Sequence, residues 1–145
     1  MPHIDEFKCN KCNYALIPGW GYRFYVINDV HERVYCAHPL EARCVMSILS
    51  KNASINVIKD RTGFSSYCLC LDCLYQFEAD LGEIGWSPFE FEINKVEARN
   101  EQGRDKKQCP RCQSKMIKTQ RELVGQTCPK CGKGIIEQIW TGIIT

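Results

Sequence analysis

"CPRCQSKMIKTQRELVGQTCPKCGKG", residues 109–134, carries two Cys-x-x-Cys pairs, Cys109/Cys112 and Cys128/Cys131, with fifteen residues between them. That spacing matches the Cys-x2-Cys-x15–20-Cys-x2-Cys pattern of metal sites. Each pair predicts a knuckle, a tight turn that aims two sulfurs at one ion. Pro110 and Pro129 preset φ after the first Cys of each pair. Gly132 lets the chain leave its knuckle with φ above zero. Four thiolates at about 2.3 Å suit tetrahedral Zn²⁺, which has no ligand-field preference of its own.

The rest of the composition agrees with metal rather than disulfides. Eleven cysteines in 145 residues is near the level of crosslinked or metal-bound scaffolds. The opening "MPHIDEFKCN" has no apolar stretch of the kind a secretory signal needs. No window approaches the roughly 18 apolar residues of a membrane span. A reducing compartment keeps thiols free, and an odd number of them cannot complete a disulfide framework. The expectation is a cytoplasmic protein with no membrane segment, its thiols holding metal.

On "CPRC" and "CPKCGKG", residues 109–145 resemble a zinc ribbon of the rubredoxin-like fold group, over about a quarter of the chain. The resemblance implies a three-stranded antiparallel sheet with two knuckles at one end. "KMIKTQREL" (115–123) alternates as a strand would, and "GIIEQIWTGIIT" (134–145) is rich in β-formers. Iron in place of zinc would make a rubredoxin-like electron carrier, which is red. Zinc ribbons serve many processes, so the resemblance assigns no activity.

Two further pairs lie upstream, Cys9/Cys12 in "CNKC" and Cys70/Cys73 in "CLDC". Two thiols leave zinc half coordinated, so these pairs are expected to share a second ion across a long insertion. Cys68 stands two residues before Cys70 and would face the same side of a strand without ligating. The cofactor expected is therefore two Zn²⁺, held by Cys9, Cys12, Cys70, Cys73 and by Cys109, Cys112, Cys128, Cys131.

Inside the insertion, "GWGYRFYVIND" and "VHERVYC" read as a hairpin, "HPLEARCVMSILS" as a short helix behind Pro39, and "TGFSSYCLC" as a strand. Aromatic residues in "CLYQF" and "GWSPFEF" are expected to cover the metal. The polar stretch "NKVEARNEQGRDKKQ" reads as a linker. The fold expected is small, metal-stabilised and mostly β with one short helix, an α+β class. Its modules are residues 1–93, a linker 94–108 and a ribbon 109–145.

"CAHPLEARC" holds Cys36, His38 and Cys44, with His31 and Cys68 as conceivable additions to a third metal site. The plainer reading makes the cysteines small core residues, since free Cys is among the most buried types. A Cys-His nucleophile and base would need an orienting third group, and the sequence names none. Both four-cysteine sets are closed, without the open position of a catalytic zinc. The expectation is a protein that is not an enzyme.

Charge gives the partner hints. Residues 104–145 hold nine basic and three acidic side chains, formally +6, and residues 1–103 hold ten and fourteen, formally −4. Arg111, Lys115, Lys118 and Arg121 could meet phosphates of a nucleic acid. The Ile135–Ile144 segment carries apolar side chains on both faces of a strand, more than a small ribbon can cover. A protein partner on that strand, with the chain acting as an adaptor or complex subunit, is the leading expectation, ahead of nucleic acid.

Overall fold

A computed structural model describes residues 3–50, 52–83 and 104–144. Its elements run β1 (His3–Cys9), β2 (Tyr22–Ile27), β3 (Arg33–Tyr35), α1 (Glu41–Ile48), α2 (Ile55–Arg61), β4 (Thr62–Cys70), β5 (Gln76–Ala79), β6 (Ile117–Thr119), α3 (Gln120–Leu123) and β7 (Ile136–Ile144). The chain is a small, mostly β protein with a few short helices, three of them among the described residues. "GWSPFEF" and most of the 94–108 segment lie outside the described residues.

The chain gathers into two compact units, and neither is continuous. One combines residues 1–22, 66–79 and 106–145; the other combines 23–65 and 80–105. This division differs from the expected 1–93 and 109–145. Strand pairing in the first unit is the reason: the first and last strands are antiparallel neighbours, so the two ends of the chain fold together.

In that first unit, β1 and β7 form a two-stranded sheet, with Cys9 opposite Ile136, Phe7 opposite Gln138 and Asp5 opposite Trp140. The end of β4 pairs with β5 on one side and β6 on the other, Cys70 lying opposite Ile117. The three-stranded sheet expected within 109–145 is therefore not formed. Its strands find their main partners upstream, and among the described residues only an isolated bridge, Thr127 to Ile135, stays within the segment.

The strand expected over 115–123 is also corrected. Only Ile117–Thr119 is extended, and Gln120–Leu123 is a helical turn. "TQRE" is a capping box. The Thr119 hydroxyl accepts from the Glu122 N–H at 3.3 Å, and the Glu122 carboxylate accepts from the Thr119 N–H at 3.3 Å. Leu123 thereby turns inward and joins Phe7, Cys9, Leu16, Leu69, Cys128 and Ile136 in one buried cluster. Burying a side chain such as Ile136 stabilises by about 2 kcal/mol.

The second unit is built on β3, β2 and the start of β4, in that order. The expected hairpin is present: Tyr25, Val26 and Ile27 face Tyr35, Val34 and Arg33. Asn28 Oδ1 accepts from the N–H groups of Val30 and Glu32, and His31 takes φ of 64° in the turn. The helix behind Pro39 is α1. A second helix, α2, was not expected; Ser54 caps it by accepting from the Val57 N–H at 3.2 Å. Buried Asp80 accepts from the Tyr25 hydroxyl and from the Gly82 N–H. Asp105 accepts from the Asp80 N–H and from both Arg33 guanidinium nitrogens, at 2.8 and 3.1 Å.

Candidate metal centres

Two of the four knuckles begin where a strand stops. Cys9 and Cys70 are the last residues of β1 and β4. The turns close by backbone bonds from the first Cys N–H: Cys9 to Tyr14 (2.9 Å), Cys70 to Tyr75 (3.0 Å), Cys109 to Ser114 (2.8 Å) and Cys128 to Gly134 (2.8 Å). Three knuckles leave through a left-handed residue directly after the second Cys. Gly132 (φ 67°) does so at no steric cost, as its sequence position suggested, while Leu74 (62°) and Gln113 (68°) do so against the preference of residues with a Cβ.

The sulfurs gather into two groups of four: Cys9, Cys12, Cys128 and Cys131, and separately Cys70, Cys73, Cys109 and Cys112. Within each group all the sulfurs lie within 4.8 Å of one another. This corrects the expected grouping. Cys9/Cys12 do not join Cys70/Cys73, and Cys109/Cys112 do not join Cys128/Cys131. The pairs nest, outermost with outermost and innermost with innermost. Strand pairing enforces it, because the Cys9–Ile136 register brings the knuckle at 9–12 to the one at 128–131. The Cys70–Ile117 register does the same for 70–73 and 109–112.

The spacing fits a tetrahedral ion. Sγ···Sγ distances across the outer site are 3.7 Å (Cys9–Cys131) and 3.8 Å (Cys12–Cys128); across the inner site they are 3.5 Å (Cys70–Cys112) and 3.6 Å (Cys73–Cys109). Four ligands at about 2.3 Å from a tetrahedral centre stand about 3.8 Å apart. A disulfide would bring two sulfurs to about 2.05 Å, and all eleven cysteines are free thiols.

Backbone N–H groups aim at these sulfurs. Cys9 Sγ accepts from Lys11 (3.3 Å) and Cys12 (3.4 Å), Cys109 Sγ from Arg111 (3.3 Å) and Cys112 (3.4 Å), and Cys131 Sγ from Lys133 (3.5 Å) and Gly134 (3.4 Å). Such bonds favour thiolate. The N–H groups of Gly134 and Lys133 lower Cys131 to about 6. At Cys109 burial pushes upward, but the N–H groups of Cys112 and Arg111 and the neighbouring sulfurs outweigh it and bring the thiol to about 7. The other members resist ionisation. At Cys12 the Tyr14 N–H lowers the thiol, yet burial and three nearby sulfurs raise it to about 11. At Cys112 the Ser114 N–H is likewise outweighed, and the thiol stands at about 12. Ionising all four sulfurs of a group so close together would require a cation among them, a charge that a divalent metal ion could supply.

The remaining candidates stay apart from these groups. Cys68 is buried in β4 with its thiol on the Ser66 carbonyl at 3.4 Å. His31 sits exposed in the hairpin turn. Cys36, His38 and Cys44 lie in the other unit, where His38 Nδ1 is 2.6 Å from Glu41 Oε1. Glu41 is the orienting group for His38 that the sequence did not name. Comparison with protein-family models, curated proteins and solved structures finds no match to this chain. Among the described residues, no helix is long and apolar enough to cross a membrane.

Proposed function

We propose that the protein is a non-enzymatic, zinc-ribbon-like scaffold whose two tetrathiolate sites hold structural Zn²⁺ and which acts by binding another protein. Four sulfurs per ion leave no open coordination position for a substrate or water, which is the mark of a structural zinc site. The nearly equal S···S distances suit zinc; iron, the rubredoxin-like alternative, would declare itself by colour in the purified protein.

The observation that carries the binding role is the set of exposed apolar side chains along β7. Ile136 is buried against Phe7 and Cys9, yet Ile139, Trp140 and Ile143 are 36%, 60% and 55% exposed, and Ile135 before the strand is exposed as well. Covering such surface is worth about 25 cal/mol per Å². A partner lying across β7 would gain it, with the two zinc ions keeping the platform rigid.

The nucleic-acid reading is weaker now that both sites fall in one unit. Residues 1–22, 66–79 and 106–145 hold ten basic and six acidic side chains, formally +4. Two sites of four thiolates and one Zn²⁺ each contribute −2, which brings that unit to about zero. Three of the four basic side chains named for phosphate contact are also engaged locally: Arg111 lies over the Tyr75 ring, Arg121 over Tyr22, and Lys118 is 3.8 Å from Glu122.

The test is partner capture from native lysate at low and high salt. Trp140→Ala is expected to weaken capture more than Lys115→Ala with Lys118→Ala, with little dependence on salt. If the lysine pair abolishes capture, Trp140→Ala is silent and nucleic acid appears in the eluate, the adaptor reading fails and the nucleic-acid reading replaces it.

A further inference from the structure

The two tetrathiolate groups are not equivalent. In the outer one, Cys9 and Cys128 are 5% and 1% exposed, and Cys12 and Cys131 are half-buried. Cys12 and Cys131 pack against the buried cluster that Cys9 and Cys128 share with Phe7, Leu16, Leu123 and Ile136. In the inner group, Cys70 and Cys109 are buried and Cys73 is half-buried, but Cys112 is exposed. It stands at the tip of its knuckle between Arg111 and Gln113, which are exposed as well. None of the inner four belongs to the cluster that seals the outer group. The turns differ too. Both inner knuckles leave through left-handed residues that carry a Cβ, Leu74 and Gln113, whereas the outer knuckle at 128–131 leaves through Gly132. Burial, packing and backbone strain all mark the inner group as the easier one to open, and Cys112 as the sulfur a reagent meets first.

Resting on the reading of both groups as zinc sites, we infer that Cys112 is an oxidisable ligand, a modification site at which hydrogen peroxide opens the inner group by linking Cys112 to Cys70. A cysteine that ligates zinc is a thiolate, and oxidation selects thiolates that solvent reaches. No outer ligand is exposed. The Cys112 sulfur attacks one oxygen of the peroxide; the O–O bond breaks, hydroxide leaves and a sulfenic acid forms. Cys70, whose sulfur is 3.5 Å from that of Cys112, then attacks the Cys112 sulfur. The S–S bond forms, the S–O bond breaks and a second hydroxide leaves. Two thiolates have lost two electrons, and one peroxide has been reduced to two hydroxide ions. Closing the pair brings the sulfurs from 3.5 Å to about 2.05 Å. Cys73 and Cys109 then remain as half a set of ligands, so one zinc ion is given up and the outer one is kept. The change reaches β6, which pairs with β4 at Cys70, and spares β1 and β7, which meet at the outer group.

The experiment titrates the full, zinc-loaded chain with hydrogen peroxide, reading released zinc with a chromogenic chelator and disulfides by peptide mapping at each dose. The untreated count comes first: two ions per chain are expected, and fewer would overturn the two-site reading together with this inference. Peroxide should then release one ion, with Cys70–Cys112 as the first linkage to form within either group. Dithiothreitol with added zinc should restore both ions, and a sulfenic acid trapped with dimedone should map to Cys112. Cys112→His keeps a ligand type that zinc accepts while removing the exposed sulfur. It should hold both ions through the dose that empties the inner group of the parent. If that variant does not fold or does not load two ions, the parent's release and linkage map decide. From a starting count of two, the inference alone is overturned if peroxide releases no zinc, or if the outer ion leaves first or together with the inner one. It is equally overturned if the first linkage excludes Cys112 or joins it to a sulfur other than Cys70, or if a loaded Cys112→His is emptied as readily as the parent.

Discussion

Gly134→Ala tests the nested arrangement at its tightest point. A Cβ on Gly134 would fall well inside the Cys9 sulfur, 2.8 Å from Asn10 Oδ1 and 3.0 Å from Lys11 Cβ. Carbon in ordinary contact stands about 3.5–4.0 Å away, so the sulfur must retreat by about 1 Å. A zinc ligand tolerates roughly 0.2 Å. The Asn10 side chain cannot give way freely, because its Oδ1 accepts from the Ile135 N–H at 3.0 Å. The crowding itself should destabilise by about 1–3 kcal/mol, and losing the Cys9 ligand should weaken the outer site at least 10–100-fold, the range found when groups that only orient a ligand are removed. Zinc released to a moderate chelator should rise from none to one ion per chain. Brief alkylation should then label Cys9, Cys12, Cys128 and Cys131 and spare Cys70, Cys73, Cys109 and Cys112. Labelling of Cys109 and Cys112 together with Cys128 and Cys131, while Cys9 and Cys12 stay protected, would refute the nested grouping.

Elemental analysis of the purified protein should give two zinc ions per chain, and Cys128→Ser should reduce this to one while Cys70, Cys73, Cys109 and Cys112 remain protected from alkylation. Zinc affinity should rise with pH, because Cys12 at about 11 and Cys112 at about 12 must each give up a proton on binding at neutral pH. Below about pH 7 and then 6, Cys109 and Cys131 become protonated too, so a competition titration should show the dependence steepening there. Thr119→Ala removes half of the capping box and should lower stability by about 1 kcal/mol in denaturant unfolding of the zinc-loaded protein. Ile136→Ala should lose about 2–5 kcal/mol in the same assay, since that side chain is fully buried beside Cys9 and Cys128.

The candidate ligands were legible because a Cys-x-x-Cys knuckle is a local object: five or six residues close its turn and aim its sulfurs. Which knuckle faces which was not legible, since that depends on strand register between residues far apart. Cys12 and Cys128 are 116 positions apart, against the 36 that separate Cys73 and Cys109. The fifteen-residue gap between Cys112 and Cys128 invited a single site, but it holds β6, α3 and the turn into the last knuckle. The hairpin at Tyr22–Tyr35 and the strand ending at Cys70 followed from β-rich runs bounded by turn residues. The helix at 120–123 had its signal in Thr119 and Glu122, masked by apparent alternation in "KMIKTQREL". The short helix α2 had only Ser54 to announce it.

Nesting also has a consequence in time. A ribosome delivers the chain from its N-terminal side, so Cys9 and Cys12 emerge early and must wait for Cys128 and Cys131, the last two cysteines of this sequence. The inner quartet is complete once Cys112 has appeared, while the outer knuckle is still half a site, two sulfurs without partners. Metal is therefore expected to load from the inside outward during synthesis, and a chain interrupted between Cys112 and Cys128 would carry one filled centre and one exposed, reactive dithiol.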